Sequence, residues 1–184
     1  LFLFKFFKLY KNTIWQASSI YEYKDIEKCF INKNINIKIA FDIPSTTANS
    51  NNKEIIMRIF KMKPLRIIFL GRIVPIKNLD FAINILKELK VNVIFDIFGP
   101  IEDIYYWKYC QSLLGQLPKN IKYKYEGPIV HENVNKVLSE RHLLFLPSKS
   151  ENFGHAIYES LSVGTPVLIS KSTPWRNLKE NNAG

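Results

Sequence analysis

The chain has 184 residues, of which 47% are hydrophobic and 14% aromatic. This composition supports a buried core and excludes a disordered chain. The net charge of +10 predicts an anionic partner such as a nucleotide, a membrane surface or nucleic acid, although a solvated lysine-rich surface explains it equally well. Cys29 and Cys110 lie far apart, which favours a reducing compartment over a disulfide framework. No apolar run approaches the ~20 residues that span a bilayer.

The first 45 residues read as a small strand and helix unit. Residues 1–11 form a basic, aromatic helix that would lie on a membrane or, the favoured interpretation, pack in a core. A strand at 13–17 leads to Ser19, whose spacing to Glu22 indicates a capping box for a helix at 20–30. A strand at 35–41 follows. The chain begins with Leu rather than Met, so we expect a fragment.

Residues 46–64 read as a linker because the start of this segment is rich in Ser, Thr and Asn. Its second half, 54–63, is basic and amphipathic. A solvated hinge is favoured there over contact with a membrane or partner. The predicted organisation is therefore an N-terminal remnant at 1–45, the linker, and a second domain at 65–184.

Short apolar runs alternate with helical patterns from residue 65 onwards. The predicted strands are 65–70, 91–98, 121–125, 143–146 and 167–170, and the predicted helices begin after Asn78 (as N-cap), at 104, at 134, near 155 and at Pro174. This alternation predicts an α/β fold with a Rossmann-like parallel sheet and helices on both faces. Ligands of such sheets bind beyond the carboxyl ends of the strands.

Basic residues and glycines follow the first two of these strands. Gly71 and Arg72 end the first, Lys77 precedes the next helix, and Gly99 ends the second. Arg can bind two phosphate oxygens at once and Lys adds a mobile charge, so an anion site is one interpretation. Taken singly, an exposed base or an ordinary turn glycine is as good an explanation.

The stretch 143–170 carries the most specific pattern. A strand ends at Pro147-Ser148, Glu151 follows in a loop, and Gly154 precedes a helix that contains Glu159. A helix N-terminus suits phosphate, and a carboxylate can accept two hydrogen bonds from a ribose diol. His155, Glu159 and Ser162 should share a polar stripe of this helix. A lone exposed Glu is more commonly only solvated, so the spacing alone is a weak signal.

The string Pro147, Ser148, Glu151, Phe153, Gly154, Glu159, Gly164, Pro166, Val167, with its E-x7-E spacing, resembles glycosyltransferase family 4. These are retaining enzymes of the GT-B fold, and the likeness is to their C-terminal, donor-binding domain. The first 45 residues resemble the end of the N-terminal acceptor domain loosely. We therefore expect a chain truncated at both ends and a fragment that does not turn over by itself.

The resemblance implies a role for particular residues. Glu151 would contact the donor sugar, Glu159 the ribose, the Phe153-Gly154 amides sugar and phosphate, and the Gly-Arg and Lys the diphosphate. The catalytic residues implied are Glu151, Arg72 and Lys77. The donor-binding residues implied are Gly71, Arg72, Lys77, Gly99, Ile129, Val130, Ser148, Glu151, Asn152, Phe153, Gly154 and Glu159. The sequence lacks a DxD motif, so neither a metal nor another cofactor is expected.

The implied function is transfer of a hexose, with retention, from a nucleotide sugar to a glycan or lipid-linked acceptor in cell-surface polysaccharide synthesis. A cytoplasmic location follows, with peripheral contact at the anionic inner face of the plasma membrane. One alternative is a nucleotide-sugar epimerase of the same fold. Another is a non-catalytic basic module that binds membrane or nucleic acid, but no RNA-recognition motif is present and nucleic acid is not expected. Dinucleotide and Walker fingerprints are also absent from the sequence.

Overall fold

The computed structural model describes residues 13–30, 35–40, 64–176 and 178. The predictions for residues 1–11 and for the linker up to residue 63 lie outside this part of the chain. The described residues belong to two compact units, one within Leu1–Pro44 and one within Ser45–Gly184. Among them, no helix has the length and apolar character needed to cross a bilayer.

The first unit is a parallel strand pair with one helix. Strand β1 (Ile14–Ala17) pairs with β2 (Asn36–Ile39), and helix α1 (Ile20–Cys29) connects them. The Ser19 hydroxyl accepts a hydrogen bond from the Glu22 amide at 3.2 Å, as the capping box predicts. The Glu22 carboxylate accepts bonds from the amide and hydroxyl of Ser18, not from the Ser19 amide. The prediction that Ser19 caps α1 is thus confirmed. The second bond of the capping box differs, because Glu22 binds Ser18 instead of Ser19.

The second unit is a five-stranded parallel sheet. The strands are β3 (Leu65–Leu70), β4 (Val93–Phe98), β5 (Ile121–Gly127), β6 (Leu143–Leu146) and β7 (Val167–Ile169), in the order β5-β4-β3-β6-β7. The helices are α2 (Leu79–Lys87), α3 (Ile104–Leu114), α4 (His131–Ser139) and α5 (His155–Ser162), and a 3₁₀ turn, Pro75–Lys77, precedes α2. The predicted α/β class with a parallel sheet is confirmed.

The order of the strands places a crevice between β3 and β6. From β3 the chain moves outward to β4 and β5, then crosses back to β6 on the other side of β3. Because such crossovers are right-handed, α2 and α3 cover one face of the sheet and α4 and α5 the other. Open parallel sheets bind ligands where the strand order reverses in this way. The segments that follow β3 and β6 therefore form the candidate site.

The central strands are buried on both faces. Ile67, Ile68 and Phe69 of β3 are at most 3% exposed, and Phe95 and Leu144 on the neighbouring strands are fully buried. Side chains buried on both faces explain why these strands read as continuous apolar runs. The structure corrects some boundaries: β4 begins at Val93, α4 begins at His131, and residues 174–176, where a helix was predicted to begin, are not helical.

Candidate functional site

Two hydrogen bonds join the segments after β3 and β6 across the crevice. The Lys149 amide donates to the Ile76 carbonyl at 2.8 Å, and the Asn78 side-chain amide donates to the Pro147 carbonyl at 3.1 Å. The residues that follow these strands are far apart in sequence, and these bonds give them a fixed relative position.

Asn78 occupies the N-cap position of α2, as predicted, but without the capping bond expected of that position. It precedes the helix, but its side chain makes no capping bond and its backbone is left-handed, with φ of 61°. Asn tolerates this conformation better than most residues. Its side-chain amide donates to the Pro147 carbonyl and is therefore not available to α2. In the first turn of the helix, the Asp80 amide instead donates a hydrogen bond to the hydroxyl of Tyr106, at 3.1 Å. The predicted capping bond is therefore wrong. The Asn78 side chain instead joins the segments that follow β3 and β6.

Lys77, Ser148 and Glu151 form a compact cluster in the crevice. The Lys77 ammonium lies 2.5 Å from Glu151 Oε1, and the Ser148 hydroxyl donates to the same oxygen at 2.7 Å. The two charged side chains are 15% and 7% exposed. Burial this deep requires each charge to have a partner. The structure thus brings together three of the predicted site residues, from positions 74 residues apart.

Arg72 lies at a more exposed position than Lys77. Its guanidinium contacts the Glu102 carboxylate at 2.8 Å, and both side chains are about half exposed, at 55% and 43%. Sequence reasoning missed Glu102, which follows a short parallel bridge between Ile73 and Ile101. This bridge brings the segment after β4 beside that after β3. Arg72 therefore has a local partner, but it is accessible to an anion.

Gly99 lies too close to the backbone of Gly71 to carry a side chain. Gly99 has φ of 139°, and a Cβ placed on it would lie 1.9 Å from the Gly71 carbonyl oxygen. The Tyr125 hydroxyl donates to the Gly99 carbonyl at 2.8 Å and fixes this turn. Glycine is therefore required at position 99, because both the positive φ and the lack of space exclude a side chain.

Of the residues on the predicted polar stripe of α5, Glu159 is buried, whereas His155 is exposed. The Glu159 side chain is 11% exposed, because α4 packs against α5, and its Oε1 lies 3.5 Å from His131 Nδ1. Desolvation raises the pKa of this carboxyl, while the neighbouring His131 and His155 act in the opposite direction. The predicted start of this helix was residue 134, and His131 is instead the first residue of α4.

The two residues that precede His131 differ in their exposure to solvent. Ile129 packs partly buried against the core, whereas Val130, which precedes α4, is 61% exposed. Both lie next to His131, whose imidazole reaches Glu159. Their predicted backbone contacts with a donor stay a prediction.

The turn between Glu151 and α5 is held by an aromatic residue that the sequence did not single out for a site. Gly154 precedes α5 with φ of 84°, and Asn152 beside it is exposed. The indole of Trp175 donates a hydrogen bond to the Phe153 carbonyl at 2.6 Å, and the two rings pack edge to face. The sequence carries no local signal for this contact.

Metal binding has no ready-made site in the described part of the chain. No group of three or more His, Cys, Asp or Glu side chains there could hold an ion. The expectation that no metal takes part stays a prediction. The charges placed at the crevice are those of Lys77, Arg72 and their carboxylate partners.

The comparisons with known proteins agree with this geometry. The family model "Glycosyl transferases group 1" matches residues 51–183. An uncharacterized 41.2 kDa protein in the cps region of Klebsiella pneumoniae is 26% identical over 163 residues, which are 84% of this chain and 41% of that protein. The chain thus spans less than half of this curated relative.

Solved structures show the same fold at low sequence identity. HepE from Anabaena, in complex with UDP and glucose, is 17% identical with a TM-score of 0.69, covering 89% of this chain and 46% of HepE. The lipopolysaccharide outer core galactosyltransferase WaaB, in its apo form, is 17% identical with a TM-score of 0.61, covering 86% of this chain and 43% of WaaB. The sheet order, the crevice and the family match lead to one conclusion: the chain belongs to the glycosyl transferases group 1 family and has the α/β architecture of GT-B glycosyltransferases.

Proposed function

We propose that the protein transfers a sugar from a nucleoside-diphosphate donor that binds in the crevice between β3 and β6. The observation that carries this proposal is the cluster of Lys77, Ser148 and Glu151 in that crevice, in a chain of this family. The Anabaena neighbour was solved with UDP and glucose. The pneumococcal O-GlcNAc transferase GtfA, which is 21% identical with a TM-score of 0.58, was solved with UDP and GlcNAc.

In this proposal the diphosphate binds to the two basic side chains. Lys77 is positioned at the end of the 3₁₀ turn, and Arg72 is accessible beside Glu102. Negative charge develops on the leaving diphosphate as the glycosidic bond breaks. Fixed cations stabilise that charge more in the transition state than in the bound donor.

The two carboxylates then take different parts of the donor. Glu151, which lies in the loop after β6, accepts hydrogen bonds from sugar hydroxyls. Glu159, which is buried in α5, accepts bonds from the ribose diol. The Phe153-Gly154 turn between them contributes backbone amides to the sugar and phosphate.

We infer that the transfer retains the anomeric configuration, as in glycosyltransferase family 4. The bond from the anomeric carbon to the diphosphate oxygen breaks, and the acceptor hydroxyl bonds to that carbon on the same face. The acceptor proton passes to the departing phosphate oxygen. Lys77 and Ser148 both contact Oε1 of Glu151 in the free protein. This supports a role for Glu151 in binding rather than as the nucleophile of a double displacement.

The acceptor and setting are proposed from a relative. The Klebsiella pneumoniae protein lies in a cps region, which supports a glycan or lipid-linked acceptor and a role in cell-surface polysaccharide synthesis. A cytoplasmic enzyme in peripheral contact with the inner face of the plasma membrane fits this role. The net charge of +10 favours an anionic lipid surface.

Calorimetry with UDP-glucose, UDP and uridine tests the donor site. We expect Lys77→Ala to weaken UDP binding by about tenfold or more, since a charge-assisted hydrogen bond contributes roughly 1.5–3 kcal/mol, and to leave uridine binding unchanged. Lys87→Ala at the far end of α2 is the matched control. Equal losses for UDP and uridine would contradict the proposal. NMR of the sugar product then reads its anomeric configuration, and an epimerised nucleotide sugar without transfer would identify an epimerase.

A further inference from the structure

Trp175 connects the segment after β7 to the turn that precedes α5. Its indole N–H donates to the Phe153 carbonyl at 2.6 Å. Its ring packs against Phe153 and Tyr158, with centroids 5.7 and 6.4 Å apart. A Cβ placed on Gly154 would lie 3.4 Å from the indole nitrogen. The indole is therefore in close contact with the peptide unit that joins Phe153 to Gly154.

The segment that carries Trp175 is itself fastened to the same loop. The Ser170 hydroxyl donates to the Ser148 carbonyl. The Thr173 side chain is 1% exposed and its hydroxyl donates to the Ser170 carbonyl at 3.3 Å. Both ends of the loop from Ser148 to Phe153 are thus held by the residues that follow β7. This arrangement gives Trp175 a fixed position from which to act on the turn.

The bond from Trp175 determines which way one amide points. The carbonyl of Phe153 and the N–H of Gly154 belong to one planar trans peptide, so they point in opposite directions. Gly154 has φ of 84°, and glycine adopts positive and negative φ almost equally well. Without an external contact, this peptide unit has little reason to keep one orientation. The indole bond selects the orientation in which the Gly154 N–H points away from Trp175.

We propose that Trp175 is a positioning residue that orients the Phe153–Gly154 peptide so that its N–H is offered to an oxygen of the bound nucleotide sugar. This inference rests on the proposed function, since the crevice must bind such a donor. Trp175 acts through the peptide and does not itself contact the donor.

The test uses Trp175→Phe in the whole chain, because phenylalanine keeps the aromatic packing and loses the N–H donor. Trp15→Phe is the matched control, since Trp15 belongs to the first unit and packs against Phe30, with ring centroids 4.9 Å apart. We expect UDP-glucose affinity to fall about tenfold in Trp175→Phe, as for loss of a hydrogen bond to a charged group. Uridine affinity should match that of the wild-type chain in both variants, and circular dichroism should show both to be folded. Unchanged UDP-glucose affinity in Trp175→Phe would overturn the inference.

A second measurement separates this inference from the proposed function. In ¹⁵N NMR of the ligand-free chain, we expect the Gly154 amide signal to shift or broaden in Trp175→Phe, because the peptide samples a second orientation. An unchanged Gly154 signal overturns the positioning role alone. Absence of UDP-glucose binding by the wild-type chain overturns the proposed function, and with it the donor role of the turn, whatever the NMR shows.

Discussion

Glu151 and Glu159 lie eight positions apart along the chain, in opposite electrostatic surroundings. Glu151 accepts bonds from the Lys77 ammonium and the Ser148 hydroxyl, so its charge is compensated within the protein. Glu159 is equally buried, but its neighbours are the two imidazoles of His131 and His155, and burial raises its pKa. The comparison teaches that one carboxylate is part of a formed ion pair, whereas the other is a desolvated acceptor. Substitutions at the two sites should therefore separate stability from ligand binding.

The largest effect is expected from breaking the buried ion pair. Glu151→Gln leaves the Lys77 charge buried without an anionic partner and should reduce the free energy of unfolding by about 3 kcal/mol. Urea denaturation measures this loss. Lys77→Met combined with Glu151→Gln removes both charges, so the double variant should be clearly more stable than the sum of the single losses predicts. Strictly additive losses would mean that the two side chains do not depend on each other.

Glu159→Gln should show the opposite balance. We expect UDP and UDP-glucose to bind more weakly by roughly 1–3 kcal/mol, because the ribose hydroxyls lose their acceptor. Stability at neutral pH should stay equal or increase. A carboxyl whose pKa is raised on folding stabilises the fold below its unfolded pKa, and this is lost as pH rises through the folded pKa. Glutamine removes that loss. Glu88→Gln, on an exposed carboxylate after α2, is the control. A large drop in stability with unchanged affinity would reverse the comparison.

The pH dependence of binding should depend on the histidines. Affinity for UDP is expected to fall on acidification as Glu159 takes up a proton, with a midpoint above the 4.5 of an unperturbed Glu. Because His131 lowers the Glu159 pKa, His131→Gln should move this midpoint to higher pH. UDP titrations at a series of pH values measure it. A midpoint that stays in place or moves to lower pH would show that the imidazole does not act on this carboxyl.

The smallest effect on stability is expected at Arg72. Its ion pair with Glu102 is exposed, so Arg72→Ala should change the free energy of unfolding by less than about 1 kcal/mol. UDP affinity should nevertheless fall. Glu102→Gln provides the matched comparison, because it frees the guanidinium, and UDP should bind equally well or more tightly to it. Weaker UDP binding in Glu102→Gln would mean that Glu102 positions Arg72 for the ligand.

Local patterns predicted the sheet well but could not predict its contacts. The strands were visible because apolar runs buried on both faces have no polar interruption, as in Ile67, Ile68 and Phe69. The crevice followed from the rule that ligands bind beyond the carboxyl ends of parallel strands. The ion pair between Lys77 and Glu151 forms because β6 lies beside β3. This pairing joins distant parts of the chain, so no local spacing in the sequence predicts it.

The errors at the site have the same origin. Asn78 was predicted to cap α2 because of its residue type and position, but its side chain donates to the Pro147 carbonyl instead. Glu159 was placed on a polar stripe of α5, but helical periodicity does not reveal that α4 covers this carboxylate. Trp175 was not predicted as a site residue, because its partner Phe153 lies 22 residues earlier in the chain, on the other side of β7 in the sequence. In each case a neighbouring element decided the outcome.

The contact between Gly71 and Gly99 limits how the crevice can diversify. Where the two backbones meet there is no space for a Cβ on Gly99, so this position presents only its peptide groups. Peptide dipoles are the same in every sequence. A relative that keeps this contact cannot adapt to a new sugar or base by substituting Gly99. Variation in ligand preference is then expected at exposed positions beside the crevice, such as Val130 and Asn152.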